Sequence, residues 1–167
     1  MKNNKNRNYL IGGAVILIVV GLLGFNNFKA LLSGNPARST RELAMSCTLD
    51  MYTQFHIHPH LRIVVNGAEQ SVPANVGITL DCMHPLHTHD ATGEIHVESP
   101  EQRDFTLGDF FAVWGKTFGK DEILSYHADQ DHRITMTVAG AENEEYENLI
   151  LQDKQDIVIE YSSRANK

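Results

Sequence analysis

Apolar and polar residues alternate along residues 55–65, which is the pattern of a half-buried β-strand. The apolar positions are Phe55, Ile57, Leu61, Ile63 and Val65, and the polar positions are His56, His58, His60 and Arg62. Pro59 stands at an apolar position and lacks a backbone N–H, so it confines the strand to a sheet edge or splits it. Asn66-Gly67 follows and predicts a tight hairpin turn, with a return strand through residues 70–73.

A second alternating stretch and one helix lie further along the chain. Residues 94–98 place Ile95 and Val97 on an inner face and three polar residues on the outer face. Thr106 and Asp109 have the spacing of a helix capping box. The following large residues recur at helical spacing, which predicts a helix packed on the core: Leu107, Phe110, Phe111, Trp114 and Phe118. Residues 133–138 and 156–161 predict the last two strands.

The order of these elements is hairpin, strand, helix and two strands. This order predicts the α+β class, as a small sheet with one packed helix. We expect a β-grasp-like arrangement, with an all-β sandwich or barrel as the alternative. The length of 167 residues suits one such domain.

Residues 9–25 carry no charge and are almost entirely apolar, which predicts a transmembrane helix at the short end of the usual length. Lys2, Lys5 and Arg7 precede it, so the N-terminus is expected in the cytoplasm and the rest outside. A cleaved signal peptide is the alternative. The predicted organisation is a cytoplasmic N-terminus (1–8), a transmembrane anchor (9–25), a stalk (26–41) and an extracytoplasmic His-rich domain (42–167). The predicted location is the plasma membrane, crossed once.

The chain is acidic, with a formal net charge of −7. Residues 1–25 hold three basic residues and no acidic one, so the remainder carries a formal charge of −10. An acidic domain repels nucleic acids and attracts cations. Nucleic-acid binding is therefore excluded from the candidate functions.

Histidine is the most informative residue type in this chain. All nine histidines lie between His56 and His132. On a strand, residues i and i+2 share a face with Cα atoms about 6.6 Å apart, so two imidazoles can reach one ion. We predict a metal site at His58, His60, His87, His89 and His96, with His56 as an extra ligand. We expect Asp90 to orient a ligand imidazole, and His127 and His132 to be solvated.

Imidazole ligands suit zinc, copper and nickel better than calcium or magnesium. Cys82 and Met83 add soft sulfur donors next to His84, which favours copper over zinc as the cofactor. However, Cys47 and Cys82 are the only cysteines, and two cysteines outside the membrane usually oxidise. We therefore predict a Cys47–Cys82 disulfide, with a copper thiolate as the alternative.

Three stretches of this region resemble known patterns. Cys82-x-x-Pro85-x-His87 resembles the copper-binding loop of azurin-type cupredoxins, although no methionine stands where an axial ligand would be expected. His87-x-His89 followed by Glu94 resembles the first cupin motif, although the glycine that should follow is missing. Residues 55–118 are similar to a group of uncharacterised, membrane-anchored prokaryotic proteins that carry His-Thr-His-Asp-x-x-Gly-x-Ile-His. That resemblance implies a membrane location and metal binding.

These observations predict a membrane-anchored extracytoplasmic module that holds, buffers or delivers copper or zinc. One alternative is a metal-dependent enzyme with a three-histidine site, in which Glu94 or Glu98 is the general base. Another alternative is an assembly subunit of a membrane complex, with a membrane protein as its partner. More histidines are present than a catalytic site needs, which favours binding over catalysis. Hydrolase and nucleotide-binding motifs are absent from the sequence.

Overall fold

A computed structural model describes residues 38–47 and 53–164. The predicted transmembrane segment, residues 9–25, lies outside these residues. In the described part of the chain, no helix is both long enough and apolar enough to cross a membrane. The described residues form mixed sheets with few helices, as expected for a small α+β fold.

The helices and strands follow one another in this order: α1 (Thr40–Ala44), β1 (Phe55–Ile57), β2 (His60–Val65), β3 (Ala68–Gln70), β4 (Leu86–His87), β5 (His96–Ser99), α2 (Leu107–Trp114), β6 (Thr117–Phe118), β7 (Glu122–Leu124), β8 (Tyr126–His127), β9 (His132–Val138), β10 (Ala141–Glu142), a 3₁₀ turn (Tyr146–Asn148) and β11 (Asp156–Ser163). Within the described ranges these strands form three sheets. Their orders are β10-β9-β11-β2-β3, β1-β5-β4 and β6-β7-β8.

The five-stranded sheet has a parallel pair, β2 and β11, at its centre. Both strands are flanked by antiparallel neighbours, β3 on one side and β9 on the other. Leu61 and Ile63 on β2, and Ile157 and Ile159 on β11, are almost completely buried. Burial of these side chains stabilises this layer through the hydrophobic effect.

Pro59 splits the first predicted strand, as expected from the missing N–H. β1 before it joins the three-stranded sheet, and β2 after it joins the five-stranded sheet. Asn66 and Gly67 have φ angles of 50° and 80°, so the predicted hairpin turn is confirmed. Its return strand is Ala68–Gln70, earlier in the chain than predicted. Because β1 and β2 belong to different sheets, the histidines on them do not share one surface.

The predicted helix begins at its expected cap but ends early. Thr106 and Asp109 form a reciprocal capping box. The helix ends at Trp114 because Gly115 adopts a left-handed conformation, with φ of 69°. The inclusion of Phe118 in the helix was therefore wrong: it lies on β6, where its ring stacks on Phe111 at 4.6 Å.

The predicted Cys47–Cys82 disulfide is confirmed. It ties α1 to the loop that precedes β4. Arg41 strengthens this attachment, because its side chain pairs with buried Asp109 at 2.8 Å and donates to the carbonyl oxygen of Gly108. The Nδ1 atom of His84 also lies 3.2 Å from the carbonyl oxygen of Ala44. Arg41, Leu43 and Ala44 therefore pack on the folded domain.

We expect the double variant Cys47→Ala/Cys82→Ala to lower the free energy of unfolding by about 3–4 kcal/mol, because the disulfide closes a loop of 35 residues in the unfolded chain. Urea unfolding followed by the fluorescence of Trp114, the single tryptophan, measures this change. The parent protein treated with reductant is the matched control and should match the variant. Equal stability of the oxidised parent and the variant would contradict the expected contribution.

Candidate metal centre

The register of the three-stranded sheet brings metal-ligating side chains onto one face. β5 lies in the middle, and its Glu98 faces His56 on β1 while its His96 faces His87 on β4. Side chains directly opposite each other on neighbouring strands have Cβ atoms about 5 Å apart. The alternate positions on these strands, Ile57, Val97 and Leu86, point into the core and are buried. The sheet therefore has an apolar inner face and an outer face of donors.

Gly93 fixes the loop that joins β4 to β5. Its carbonyl oxygen accepts a hydrogen bond from the backbone N–H of Leu61. A Cβ atom at this position would lie 2.3 Å from the carbonyl oxygen of Leu61, and its φ of 91° is one that L residues rarely adopt. Only glycine allows the loop to approach β2 this closely.

Two groups of side chains on the outer face have the spacing of metal ligands. The four-donor group is His87, His89, His96 and Glu98, and the three-histidine group is His56, His58 and His96. Within each group, one potential ligand atom from each residue lies within 4.8 Å of all the others. His96 belongs to both groups.

His87 is the best-positioned donor of the four-donor group. It is completely buried, and its Nδ1 atom lies 3.0 Å from the carbonyl oxygen of His84. A carbonyl oxygen only accepts, so Nδ1 carries the proton and Nε2 presents a lone pair. The Nε2 atoms of His87 and His89 are 3.3 Å apart. Two nitrogens bound tetrahedrally to zinc at 2.0–2.1 Å would be about 3.4 Å apart, so this pair already has a metal-binding separation.

Burial keeps His87 and His96 in the neutral form that binds metals. It lowers the pKa of His87 to about 4, against an opposing effect from the hydrogen bond to His84. The pKa of His96 is also lowered, mainly by burial and then by the neighbouring His89 and His58. Neutral imidazole is the ligand form. Neither ring therefore needs to lose a proton before it binds an ion near neutral pH.

His96 and Glu98 join the two halves of the outer face. The Nδ1 atom of His96 is buried and has no hydrogen-bond partner among the described residues. The Oε1 atom of Glu98 lies 3.5 Å from it, in contact but without hydrogen-bond geometry. The same Oε1 atom lies 3.1 Å from Nε2 of His56 and 4.0 Å from Nε2 of His87. A buried nitrogen without a partner is costly, and a bound ion would satisfy it.

The three-histidine group is more open to solvent. The side chains of His56 and His58 are 46% and 35% exposed, against 18% for His96. The ring of His58 lies 4.4 Å from that of His56 and 4.7 Å from that of His96, between centroids. The backbone N–H of His58 donates to Asp153, which holds the end of β1 in place.

Four of the five predicted ligands lie in these groups: His58, His87, His89 and His96. His60 lies in neither group. It starts β2, where it is opposite Asp156 on the parallel neighbour β11. Its Nε2 atom is 2.9 Å from the carbonyl oxygen of Thr92, and its Nδ1 atom is 3.6 Å from Asp156. The switch of sheets at Pro59 thus directs this ring away from His96.

The structure adds Glu98 as a donor and brings the extra candidate His56 beside His58. The sequence carried the signal for Glu98, because it lies two residues after His96 on the same strand face. The orienting contact of a ligand imidazole comes from the carbonyl of His84, whereas Asp90 accepts hydrogen bonds from Thr92. His127 and His132 lie outside both groups and are near Glu122 and Asp129.

We expect the stability of the metal-free protein to rise between about pH 4 and pH 6.5 because of His87. In this range the unfolded chain protonates His87, whose usual pKa is about 6.5, while the folded protein does not. The contribution is fully present above pH 6.5 and is lost as the pH falls through about 4. It amounts to about 3 kcal/mol. Urea unfolding in the presence of a chelator at pH 4.5 and pH 7 measures it.

The variant His87→Asn is the matched control for this pH dependence. Its amide N–H can still donate to the carbonyl of His84, but it does not titrate. We expect a smaller change in stability between the two pH values than in the parent. An equal change in both proteins would show that His87 does not titrate as its burial requires.

The chain was compared with protein-family models, with curated proteins and with solved structures. None of these comparisons finds a match. The similarity of the His-Thr-His-Asp-x-x-Gly-x-Ile-His core to the membrane-anchored prokaryotic group stays a prediction.

Proposed function

We propose that this protein is a membrane-anchored extracytoplasmic module that holds, buffers or delivers copper or zinc. The observation that carries the proposal is the four-donor group, in which His87, His89, His96 and Glu98 come within 4.8 Å of one another. One of these rings is buried, neutral and oriented by a backbone carbonyl before any ion arrives. Such preorganisation lowers the entropic cost of binding.

The donor atoms favour a transition metal. Three imidazoles and one carboxylate suit zinc and Cu(II), whereas calcium and magnesium prefer sets made only of oxygen. The disulfide occupies the Cys82 sulfur, so a thiolate does not contribute to the choice of copper. Copper remains favoured over zinc on other grounds, because a given set of nitrogen and oxygen ligands binds Cu(II) more tightly than Zn(II).

The number of donors favours holding an ion over catalysis. A tetrahedral ion bound by His87, His89, His96 and Glu98 has no open position for water or substrate, and structural zinc sites are closed in this way. A catalytic site keeps one position open. We therefore prefer a binding module to the enzyme suggested by three histidines and a glutamate base.

Two observations support an extracytoplasmic location. The Cys47–Cys82 disulfide is typical of oxidising compartments. The apolar residues 9–25, with basic residues before them, have the composition of a membrane anchor. We place the domain outside the plasma membrane on these grounds.

We also infer that the five-stranded sheet is β-grasp-like. A hairpin, β2 and β3, precedes α2, and β9 and β11 follow it. β2 and β11 are parallel and adjacent at the centre of the sheet. This connectivity supports the β-grasp-like arrangement over a sandwich or barrel.

We expect His87→Ala/His89→Ala to weaken Zn(II) and Cu(II) binding by about 100-fold or more, because two of four donors are lost and metal affinity is sensitive even to indirect contacts. A competition titration against a chromophoric chelator, using the full chain in detergent without a His tag, measures the dissociation constant. His127→Ala/His132→Ala is the matched control and should bind like the parent. Parent-like affinity in the first variant would contradict the site.

Replacing the buried His87 by Ala leaves a cavity that can destabilise the fold. Two variants that disturb the core less separate the effect on metal binding from the effect on folding. Glu98→Gln keeps the shape of the side chain and removes its charge, and His89→Ala changes an exposed residue. We expect each to weaken binding by about tenfold or more, with an unchanged circular dichroism spectrum. Tight binding in both variants would contradict the four-donor group even if the double variant failed to fold.

We expect the chain to fractionate with membranes and to expose its C-terminal end outside, because the positive flank of residues 9–25 stays in the cytoplasm. A C-terminal epitope on the chain, produced in bacterial cells, should be degraded when protease is added to spheroplasts. A cytoplasmic marker should stay intact in the same sample. Protection of both would contradict the topology.

A further inference from the structure

The two groups of donors share one residue, His96, and this sharing restricts how they can be used. We propose that the three-histidine group is an exchange site through which an ion reaches and leaves the four-donor group, with His96 as a ligand in both groups. This inference rests on the proposed metal-binding function and adds a route to it.

The chemistry of imidazole allows His96 to serve one ion at a time. A neutral imidazole carries a proton on one ring nitrogen and a lone pair on the other. Binding two ions through one ring would require the loss of that proton. The two groups are therefore occupied alternately, and the protein holds one ion per chain.

The two groups differ in a way that gives them different roles. The four-donor group has one more ligand, a negative charge on Glu98, and the buried, preoriented His87. The three-histidine group has imidazole donors only, and the side chains of His56 and His58 are more exposed than that of His96. An ion should stay longer in the four-donor group and exchange faster in the three-histidine group.

Glu98 belongs to the four-donor group and also contacts His56 of the three-histidine group, which gives the transfer a short path. Its Oε1 atom is 3.1 Å from Nε2 of His56 and 4.0 Å from Nε2 of His87. During transfer inward, the bonds from the ion to His56 and His58 break as bonds to Glu98, His87 and His89 form. His96 is a ligand both before and after the transfer. The ion keeps its oxidation state, and His87 does not need to lose a proton because its Nε2 already presents a lone pair.

Stopped-flow kinetics on the full chain tests this route with Zn(II) and a fluorescent chelator. We expect one ion per parent chain. We expect His56→Ala/His58→Ala to slow both zinc uptake and chelator-driven removal by about tenfold or more, because the removal of the exchange site raises the barrier in both directions. Its dissociation constant should rise far less than that of His87→Ala/His89→Ala. The latter variant should retain only weak, rapidly exchanging zinc.

Several results would overturn the route. One is the binding of two zinc ions per parent chain. Another is unchanged rates of zinc uptake and removal in His56→Ala/His58→Ala. A third is an equal loss of affinity in the two double variants, which would indicate a single joined site. His127→Ala/His132→Ala controls for the general removal of surface histidines. A parent chain that binds no zinc would instead contradict the proposed function itself, so the two failures are distinguishable.

Discussion

The antiparallel pairing of β5 with its two neighbours is the constraint on which the candidate metal centre depends. It sets His96 opposite His87 and Glu98 opposite His56, so donors from three separate parts of the chain meet on one face. A shift of register by one residue would turn these side chains into the core and expose Val97 instead. The burial of Ile57, Val97 and Leu86 on the other face opposes that shift. Hydrophobic packing and ligand geometry are thus two consequences of the same hydrogen-bonded ladder.

Burial of His87 connects this packing to the chemistry of the site. An apolar environment disfavours the charged form of imidazole, and the hydrogen bond to the carbonyl of His84 selects the tautomer with a free Nε2. The loop that provides this carbonyl is itself held by the Cys47–Cys82 disulfide and by the contact between His84 and Ala44. The disulfide therefore stabilises the part of the fold that orients the ligand.

The sequence predicted those features that depend on local pattern. Alternation of apolar and polar residues predicted β2 and β5, and the Asn66-Gly67 pair predicted the hairpin turn. Thr106 predicted the start of α2. The two-residue strand β4 and the small β6-β7-β8 sheet are too short to produce a periodic signal. Alternation places His60 on the same face as His58, whereas Pro59 moves His60 into another sheet. The position of His56 beside Glu98 could not be predicted from local pattern, because it needs the pairing of β1 with β5, which joins residues about 40 positions apart.

X-ray absorption spectroscopy of the full chain loaded with one equivalent of Zn(II) tests the central claim most directly. The β5 register predicts a four-coordinate ion with three imidazole nitrogens at about 2.0–2.1 Å and one carboxylate oxygen. Imidazole rings give characteristic multiple-scattering features, so their number can be fitted. A coordination sphere of oxygen atoms alone, or one that contains sulfur, would contradict the account.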